Sequence, residues 1–292
     1  MTTRTLPGFT LITPTTIEEA VSILDRYRER AKILAGGTDT LVLMKKRMAS
    51  PQALITLGSV KGLSLIKYDK NGLTLGPLTT IRDIETSKTI GDEYPLLAEA
   101  ARSFGTVQIQ NVATVGGNIC NASPAGDMIL PLLAMDAEVD ALGTGGRRTI
   151  RLRDFFAGPG ESVINANEIL VEIRARPLPR GYGSSFIKIS RTAEDLSKVS
   201  AATILSVANG RFRDVRLSLG SVAPTPIRAI EAENFLEGKE TSSSVIDEAA
   251  VMACNGITPI TDSRSTAKYR GEITRVIIKR AIMKALERVG GK

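Results

Sequence analysis

Residues 114–127 read TVGGNICNASPAGD. They overlap an uncharged run that extends from Ser103 to Gly126. The pair Gly116-Gly117 allows a ligand to approach the backbone closely, and the hydroxyl and amide side chains around it supply neutral hydrogen bonds. The same polar content excludes a membrane span. A loop of this kind suits a large ligand that already carries charge, such as a dinucleotide with its diphosphate.

A second glycine pair lies nearer the N-terminus. Residues 32–35 predict a short apolar strand that leads into Gly36-Gly37-Thr38-Asp39, and a helix is predicted to follow. A strand, a glycine turn and a helix in this order present backbone N–H groups to an anion. Neither pair fits the G-x-G-x-x-G or the P-loop pattern, so a Rossmann or P-loop site is unsupported. Taken alone, each pair is more often a structural turn, whereas two pairs in one chain favour a ligand with two anchor points.

The first part of the chain predicts an α/β unit and the middle part an antiparallel sheet. Thr16 and Glu19 form a capping-box pattern before the first helix, and Asn71-Gly72 is a strong hairpin signal. We therefore assign residues 1–57 to an N-terminal α/β subdomain and residues 58–176 to a middle α+β subdomain. The predicted elements are helices at residues 17–30, 41–48, 80–87, 93–104 and 128–134, and strands at residues 32–35, 53–57, 63–67, 73–76, 137–142, 148–152 and 168–174.

Proline and glycine at residues 177–181 interrupt both the helical and the strand periodicity of apolar residues, which predicts a domain boundary. Strands followed by helices then predict a C-terminal α+β domain, residues 177–292, built on a three-stranded antiparallel sheet. The fold class of the chain is therefore α+β, with an N-terminal α/β subdomain. The predicted C-terminal elements are strands at residues 184–190, 199–208 and 215–222, and helices at residues 227–236, 244–254 and 266–289.

Histidine is absent from the 292 residues, and only two cysteines are present. Without an imidazole, a Ser-His-Asp triad, a Cys-His pair, a His-ligated zinc and a His general base are all excluded. Cys120 and Cys254 cannot supply a four-thiolate zinc or iron–sulfur site within one chain. We therefore expect no metal site and no catalytic side chain here, with any chemistry carried by a bound cofactor or a partner.

The net charge of +7 is concentrated near the C-terminus. Residues 266–292 hold eight basic and two acidic side chains, a charge of +6 that leaves +1 for the first 265 residues. No recognised nucleic-acid-binding module accompanies this charge, and no aromatic residues alternate with the basic ones. The segment therefore predicts a solvated helix face and not a nucleic-acid site.

Two cysteines form no disulfide framework and residues 1–16 contain no apolar signal segment, so we expect a cytoplasmic protein.

Residues 35–39, AGGTD, together with residues 114–127, resemble the FAD-binding (medium) subunit of the molybdenum hydroxylases. That family includes xanthine dehydrogenases, aldehyde oxidoreductases, carbon monoxide dehydrogenases and 4-hydroxybenzoyl-CoA reductases. Further matches follow in the family's order at residues 155–160, 167–170, 186–191 and 265–270, so the resemblance covers nearly the whole chain. It implies a non-covalent FAD between the N-terminal and middle subdomains of a two-subdomain FAD-binding fold, followed by a C-terminal domain.

The resemblance also implies roles for particular residues. Residues 32–39 would form a first pyrophosphate loop and residues 114–118 a second, while four scattered residues would line the flavin or adenine. Without the resemblance to this family, Phe104 and Leu170 are equally well explained as ordinary residues of the hydrophobic core. Lys188 is then explained as an exposed charge on a strand. The implied cofactor contacts are Lys32, Ile33, Leu34, Ala35, Gly36, Gly37, Thr38, Asp39, Phe104, Thr114, Val115, Gly116, Gly117, Asn118, Asp127, Leu170 and Lys188.

Two departures from the family pattern reduce the number of family members that this chain can resemble in substrate and cofactor content. Carbon monoxide dehydrogenase medium chains typically have a histidine-serine pair where this chain has Thr38-Asp39, which disfavours carbon monoxide as the substrate. The benzoyl-CoA reductase branch adds a cysteine-bearing insertion that two distant cysteines cannot reproduce. Cys120 is therefore expected to be a small buried residue beside the flavin loop.

The leading hypothesis is an FAD-binding electron-transfer subunit. The resemblance implies a small iron–sulfur subunit with 2Fe-2S clusters and a large molybdopterin subunit as partners, in a dimer of heterotrimers. Electrons would pass from the clusters through FAD to an external acceptor. Two alternatives stay open: a stand-alone flavin oxidoreductase that uses a nicotinamide, and a non-catalytic assembly subunit.

Overall fold

The computed structural model describes residues 5–290, and residues 1–4 and Lys292 of the basic segment lie outside it. Its N-terminal part is a three-stranded parallel sheet with strand order β1-β3-β2. The helix α1 packs Ala20, Val21 and Leu24 onto this sheet, as its apolar face predicts. The elements are β1 (Thr10–Ile12), α1 (Ile17–Tyr27), β2 (Ala31–Leu34), α2 (Thr40–Lys45) and β3 (Ala53–Thr56).

The predicted capping box at α1 is half formed. The Thr16 hydroxyl accepts a hydrogen bond from the Glu19 N–H at 3.2 Å, as predicted. The Glu19 carboxylate, however, accepts from the backbone N–H of Thr15 at 2.8 Å and not from that of Thr16. Strand β1 was not predicted, because three residues with a 57 % exposed Leu11 show no clear periodicity.

The middle part is a five-stranded antiparallel sheet, with order β4-β5-β10-β6-β7, covered by short helices. The predicted hairpin at Asn71-Gly72 is confirmed, and a second hairpin turns at residues 143–146 between two predicted strands. The elements are β4 (Ile66–Asp69), β5 (Gly72–Leu75), α3 (Ile81–Thr86), α4 (Lys88–Glu93), α5 (Pro95–Arg102), α6 (Val107–Gln110), α7 (Val115–Cys120), α8 (Ile129–Ala134), β6 (Glu138–Gly143), β7 (Gly146–Arg151), β8 (Phe156–Gly158), β9 (Glu161–Ser162) and β10 (Ile169–Ala175).

The C-terminal sheet has four antiparallel strands and not the predicted three. Ile227 and Arg228 were assigned to a helix, but they pair with the outer edge of β13 before that helix begins at Ile230. A strand of two residues is too short to show an alternating pattern. The elements are β11 (Gly183–Ile189), β12 (Val199–Ala208), β13 (Arg211–Gly220), β14 (Ile227–Arg228), α9 (Ile230–Leu236), α10 (Ser243–Met252) and α11 (Ala267–Leu286).

The middle and C-terminal parts share one buried core. Phe186, Ala202 and Ile204 of the C-terminal sheet belong to the same apolar cluster as the middle helices. Polar contacts cross the same boundary, because the Ser218 hydroxyl donates to the Leu130 carbonyl at 2.7 Å. The division of the chain at residues 177–181 stays a prediction. Within residues 5–290, no helix is long and apolar enough to cross a membrane.

Candidate functional site

A cleft lies between the N-terminal sheet and the middle subdomain. Its cavity measures about 330 Å³, at the lower end of the roughly 300–1,000 Å³ typical of small-molecule sites. Thirteen of the predicted cofactor contacts line it, so the fold brings both glycine segments together. These residues are Lys32, Ile33, Ala35, Gly36, Gly37, Thr38, Asp39, Phe104, Thr114, Gly116, Gly117, Asn118 and Leu170.

Four predicted contacts do not line the cleft. Leu34 turns toward Gly37, whose missing Cβ would lie 3.2 Å from the Leu34 Cδ1. Val115 is fully buried in the middle core. Asp127 and Lys188 form a buried ion pair behind the cleft wall, with 2.8 Å between Nζ and Oδ2.

The first glycine loop offers free hydrogen-bond donors. The backbone N–H groups of Gly36, Gly37 and Thr38 make no hydrogen bond to any residue in the described part of the chain. Glycine is required here, because a Cβ on Gly36 would lie 1.9 Å from the Val112 carbonyl oxygen and Gly37 has a φ of 75°. Successive free N–H groups in such a turn form a concave anion site.

The second glycine segment differs from the first. Residues 115–120 form helix α7, and Thr114 caps it by accepting from the Gly117 N–H at 3.1 Å. The N–H groups of Val115 and Gly116 donate to the Thr79 and Pro77 carbonyls at 3.0 and 2.9 Å. Of the two expected donor loops, the first therefore has three successive free N–H groups, whereas in the second only the N–H of Thr114 makes no hydrogen bond within the described residues. Gly116 instead allows close packing, since its Cβ would lie 2.5 Å from the Pro77 Cβ.

Asn118 presents an unsatisfied acceptor at the second segment. Asn118 is one of the residues that line the cleft, and its buried Oδ1, 3.2 Å from where a Cβ on Gly126 would lie, has no hydrogen-bond partner within residues 5–290. Leaving such an atom unpaired costs about 1–3 kcal/mol. A ligand that combines an anionic group with N–H or O–H donors satisfies both this acceptor and the free N–H groups of the first loop.

The pair of Asp127 and Lys188 braces the cleft wall. Both side chains are only 5 % exposed, so Lys188 is not the surface charge that a lysine on a strand usually is. Its ammonium also donates to the Ser103 carbonyl at 2.8 Å, which holds the segment leading to Phe104. Burial raises the pKa of Asp127 to about 6, although the charge of Lys188 opposes the rise.

Charged side chains are few inside the cleft. Lys32 is the only cation among the described residues that line it. The Glu168 carboxylate is already held by the Arg148 guanidinium, with 2.6 Å between Oε1 and Nε. Partial burial raises the pKa of Asp39. An anion in this cleft therefore depends on backbone N–H groups and Lys32, since no arginine among residues 5–290 lines it.

Sequence reasoning missed the wall formed by residues 162–166. This segment follows the β8–β9 hairpin, which the Gly160 N–H ties to the Ala122 carbonyl at 3.0 Å. No local pattern predicts that contact, because the two residues are brought together only by the tertiary fold. Cys120 also corrects an expectation, since its side chain is exposed to the cleft and not buried.

Two family profiles together cover almost all of the described chain. The FAD binding domain in molybdopterin dehydrogenase matches residues 7–178. The chain belongs to the FAD-binding subunits of the molybdenum hydroxylases. The CO dehydrogenase flavoprotein C-terminal domain matches residues 184–285. Family membership, the α+β fold class and FAD as the cofactor are thereby confirmed, and the chain is an oxidoreductase subunit.

Individual relatives of this family agree along the whole chain. The 6-hydroxypseudooxynicotine dehydrogenase complex subunit alpha of Paenarthrobacter nicotinovorans is 34% identical, with 97% of this chain and 96% of the relative covered. The glyceraldehyde dehydrogenase medium chain of Sulfolobus acidocaldarius is 30% identical, with 94% of this chain and 97% of the relative covered. A solved carbon monoxide dehydrogenase of Hydrogenophaga pseudoflava superposes with a TM-score of 0.96 at 32% identity, covering 98% of this chain and 99% of that chain.

Proposed function

We propose that the chain is the FAD-binding electron-transfer subunit of a heteromeric molybdenum hydroxylase. It passes electrons from the 2Fe-2S clusters of a small partner subunit to an external acceptor, while a large molybdopterin subunit oxidises the substrate. The assembly is a dimer of heterotrimers in the cytoplasm. The names of the relatives support this, since they are medium chains and complex subunits of dehydrogenases that act on several different substrates.

One observation carries the cofactor part of the proposal. Gly36, Gly37 and Thr38, whose N–H groups are free, line the same cleft as Asn118, whose Oδ1 has no partner among the described residues. FAD matches this set, because its diphosphate accepts hydrogen bonds while its flavin, ribityl and adenine groups donate them. Bound FAD supplies the redox chemistry, and the protein supplies binding, orientation and electrostatics.

The residues of the chain have defined tasks in this function. The first loop holds the diphosphate through backbone N–H groups, and Asn118 accepts a donor of the cofactor. Phe104 and Leu170 form apolar cleft walls, and the pair of Asp127 and Lys188 supports the wall from behind. No histidine is needed, because electron arrival from a partner requires no protein acid or base.

The proposal is tested by purifying the tagged full-length chain from cells that express it naturally. We expect it to elute with two further chains and with molybdenum, iron and about one FAD per copy. Elution as a lone flavoprotein that NADH reduces rapidly would support a stand-alone nicotinamide-dependent oxidoreductase instead. Elution with both partners but without flavin would make the chain an assembly subunit. Either outcome would overturn the proposal.

A further inference from the structure

A second cavity lies at the other end of the middle sheet. It measures about 210 Å³, and its floor contains the buried side chains of Leu133, Ala137 and Leu152. Strand β10 begins at the FAD cleft and ends with Ala175, just before Arg176 of this cavity. Seven residues at about 3.3 Å each place the two cavities roughly 20 Å apart. The second cavity is therefore separate from the cofactor site.

Three arginines line this cavity without a partner. Arg151, Arg153 and Arg176 make no side-chain hydrogen bond or ion pair to any residue that the structure describes. On the same sheet, Arg147 and Arg174 both bind Asp140. A guanidinium stays charged at all physiological pH values and carries five N–H donors. We call these three unpaired side chains the arginine triad.

The two acidic residues of the cavity are turned toward other arginines. Asp136 pairs with Arg228, with 2.8 Å between Oδ1 and Nη1. Glu138 lies opposite Arg151 in the β6–β7 ladder, but its closest cation is Arg174, at 3.8 Å from Oε2. Neither carboxylate therefore lies within the 4 Å of an ion pair to the triad, and the three guanidinium groups outnumber the two carboxylates that line the cavity.

We propose that the arginine triad is a binding site for a small multivalent phosphate anion. The planar fork of each guanidinium matches two phosphate oxygens, and such charge-assisted pairs are about twice as strong as neutral hydrogen bonds. The cavity of about 210 Å³ accommodates a phosphate or diphosphate group but not a whole dinucleotide. This site is independent of the proposed electron-transfer function, because none of its residues lines the FAD cleft.

Isothermal titration of the FAD-loaded full-length chain with inorganic pyrophosphate at constant ionic strength tests the site. FAD occupies the first glycine loop and prevents pyrophosphate from binding there. We expect saturable binding that Arg151→Gln with Arg153→Gln weakens by about tenfold or more. Arg176→Gln, measured separately, is expected to weaken it as well, so the test does not depend on one variant folding. Glu138→Gln is expected to tighten binding, because it removes the nearest competing carboxylate.

The matched control is Arg275→Gln with Arg280→Gln, which removes the same charge from two exposed arginines of α11. It should leave the dissociation constant within about twofold, as expected for distant exposed charges. An equal loss in the control would show unspecific attraction and would overturn the site. The absence of saturable binding, or weaker binding in Glu138→Gln, would do the same. Tighter binding of citrate than of pyrophosphate would exclude phosphate as the ligand class.

Discussion

Single side chains show which parts of this site can be predicted from the sequence and which cannot. Gly36, Gly37 and Asn118 were predicted to contact the cofactor, and all three line the cleft. Their different roles depend on tertiary contacts that no sequence motif contains. The buried pair of Asp127 and Lys188 joins residues 61 positions apart, so sequence spacing alone could not link them.

The buried carboxyl of Asp127 leads to a pH-dependent prediction. Its pKa is raised from 3.8 to about 6 by burial, so the folded state binds this proton more tightly than the unfolded state. The contribution of Asp127 to the free energy of unfolding therefore falls as the pH rises from about 4 to about 6. Relative to Asp127→Asn, the wild type should lose on the order of 1–3 kcal/mol over that range.

Urea unfolding of the wild type and of Asp127→Asn at several pH values between 4 and 7 provides the measurement. The difference between the two proteins isolates Asp127 from the other carboxyl groups. A difference that grows in favour of the wild type as the pH rises would show that Lys188, and not burial, dominates the pKa of Asp127.

At the scale of helices and strands, local signals predicted most elements and failed where elements are very short. Asn209-Gly210 forms the hairpin between β12 and β13, and both residues adopt the positive φ values that such turns need. Helix α7 was expected to be a loop, since two glycines in six residues lower its intrinsic helix propensity. Its cap at Thr114 and its packing against Pro77 outweigh that cost.

The cap of α7 carries its own prediction. Thr114→Ala removes the acceptor of the Gly117 N–H and should lower the free energy of unfolding by about 1 kcal/mol. Thr114→Ser keeps the hydroxyl and should retain most of that stability. Chemical denaturation of the FAD-free chain compares the two variants. Equal losses in Ala and Ser would show that the methyl group, and not the cap, stabilises this helix.

At the scale of the whole molecule, polar contacts join the C-terminal part of the chain to the middle part. The Ser221 N–H donates to the Pro124 carbonyl at 2.8 Å. Arg228 donates to the Leu133 carbonyl at 3.0 Å and binds Glu233 with 2.6 Å between Nε and Oε1. The α+β class and the order of the three parts could be predicted from the sequence. The contacts of Ser221 with Pro124 and of Arg228 with Leu133 could not, because they join residues about one hundred positions apart and depend on how the parts pack.

The contribution of Arg228 to stability can be tested by comparing two arginine–glutamate pairs of the C-terminal part of the chain. Arg228 and Glu233 are 9 % and 7 % exposed, whereas Arg211 and Glu240 are 48 % and 70 % exposed. Arg228→Gln leaves a buried carboxylate without its partner and should cost about 3–5 kcal/mol of unfolding free energy. Arg211→Gln, the control, should cost at most about 1 kcal/mol. Similar costs in urea unfolding would contradict the role assigned to Arg228.

The central claim is that the cleft between the N-terminal and middle sheets holds one FAD through free backbone N–H groups and Asn118. Titration of the full-length chain with FAD, followed by flavin fluorescence, tests it most directly. We predict one FAD per chain, with binding weakened about tenfold in Asn118→Ala. The free energy of unfolding of the FAD-free variant should not fall below that of the wild type, because the substitution removes an unpaired buried oxygen and no side-chain hydrogen bond to the described residues. Asn111→Ala, which alters an exposed asparagine outside the cleft, should bind as the wild type does. Absence of FAD binding, or equal affinities of the Asn118→Ala and Asn111→Ala variants, would contradict the account.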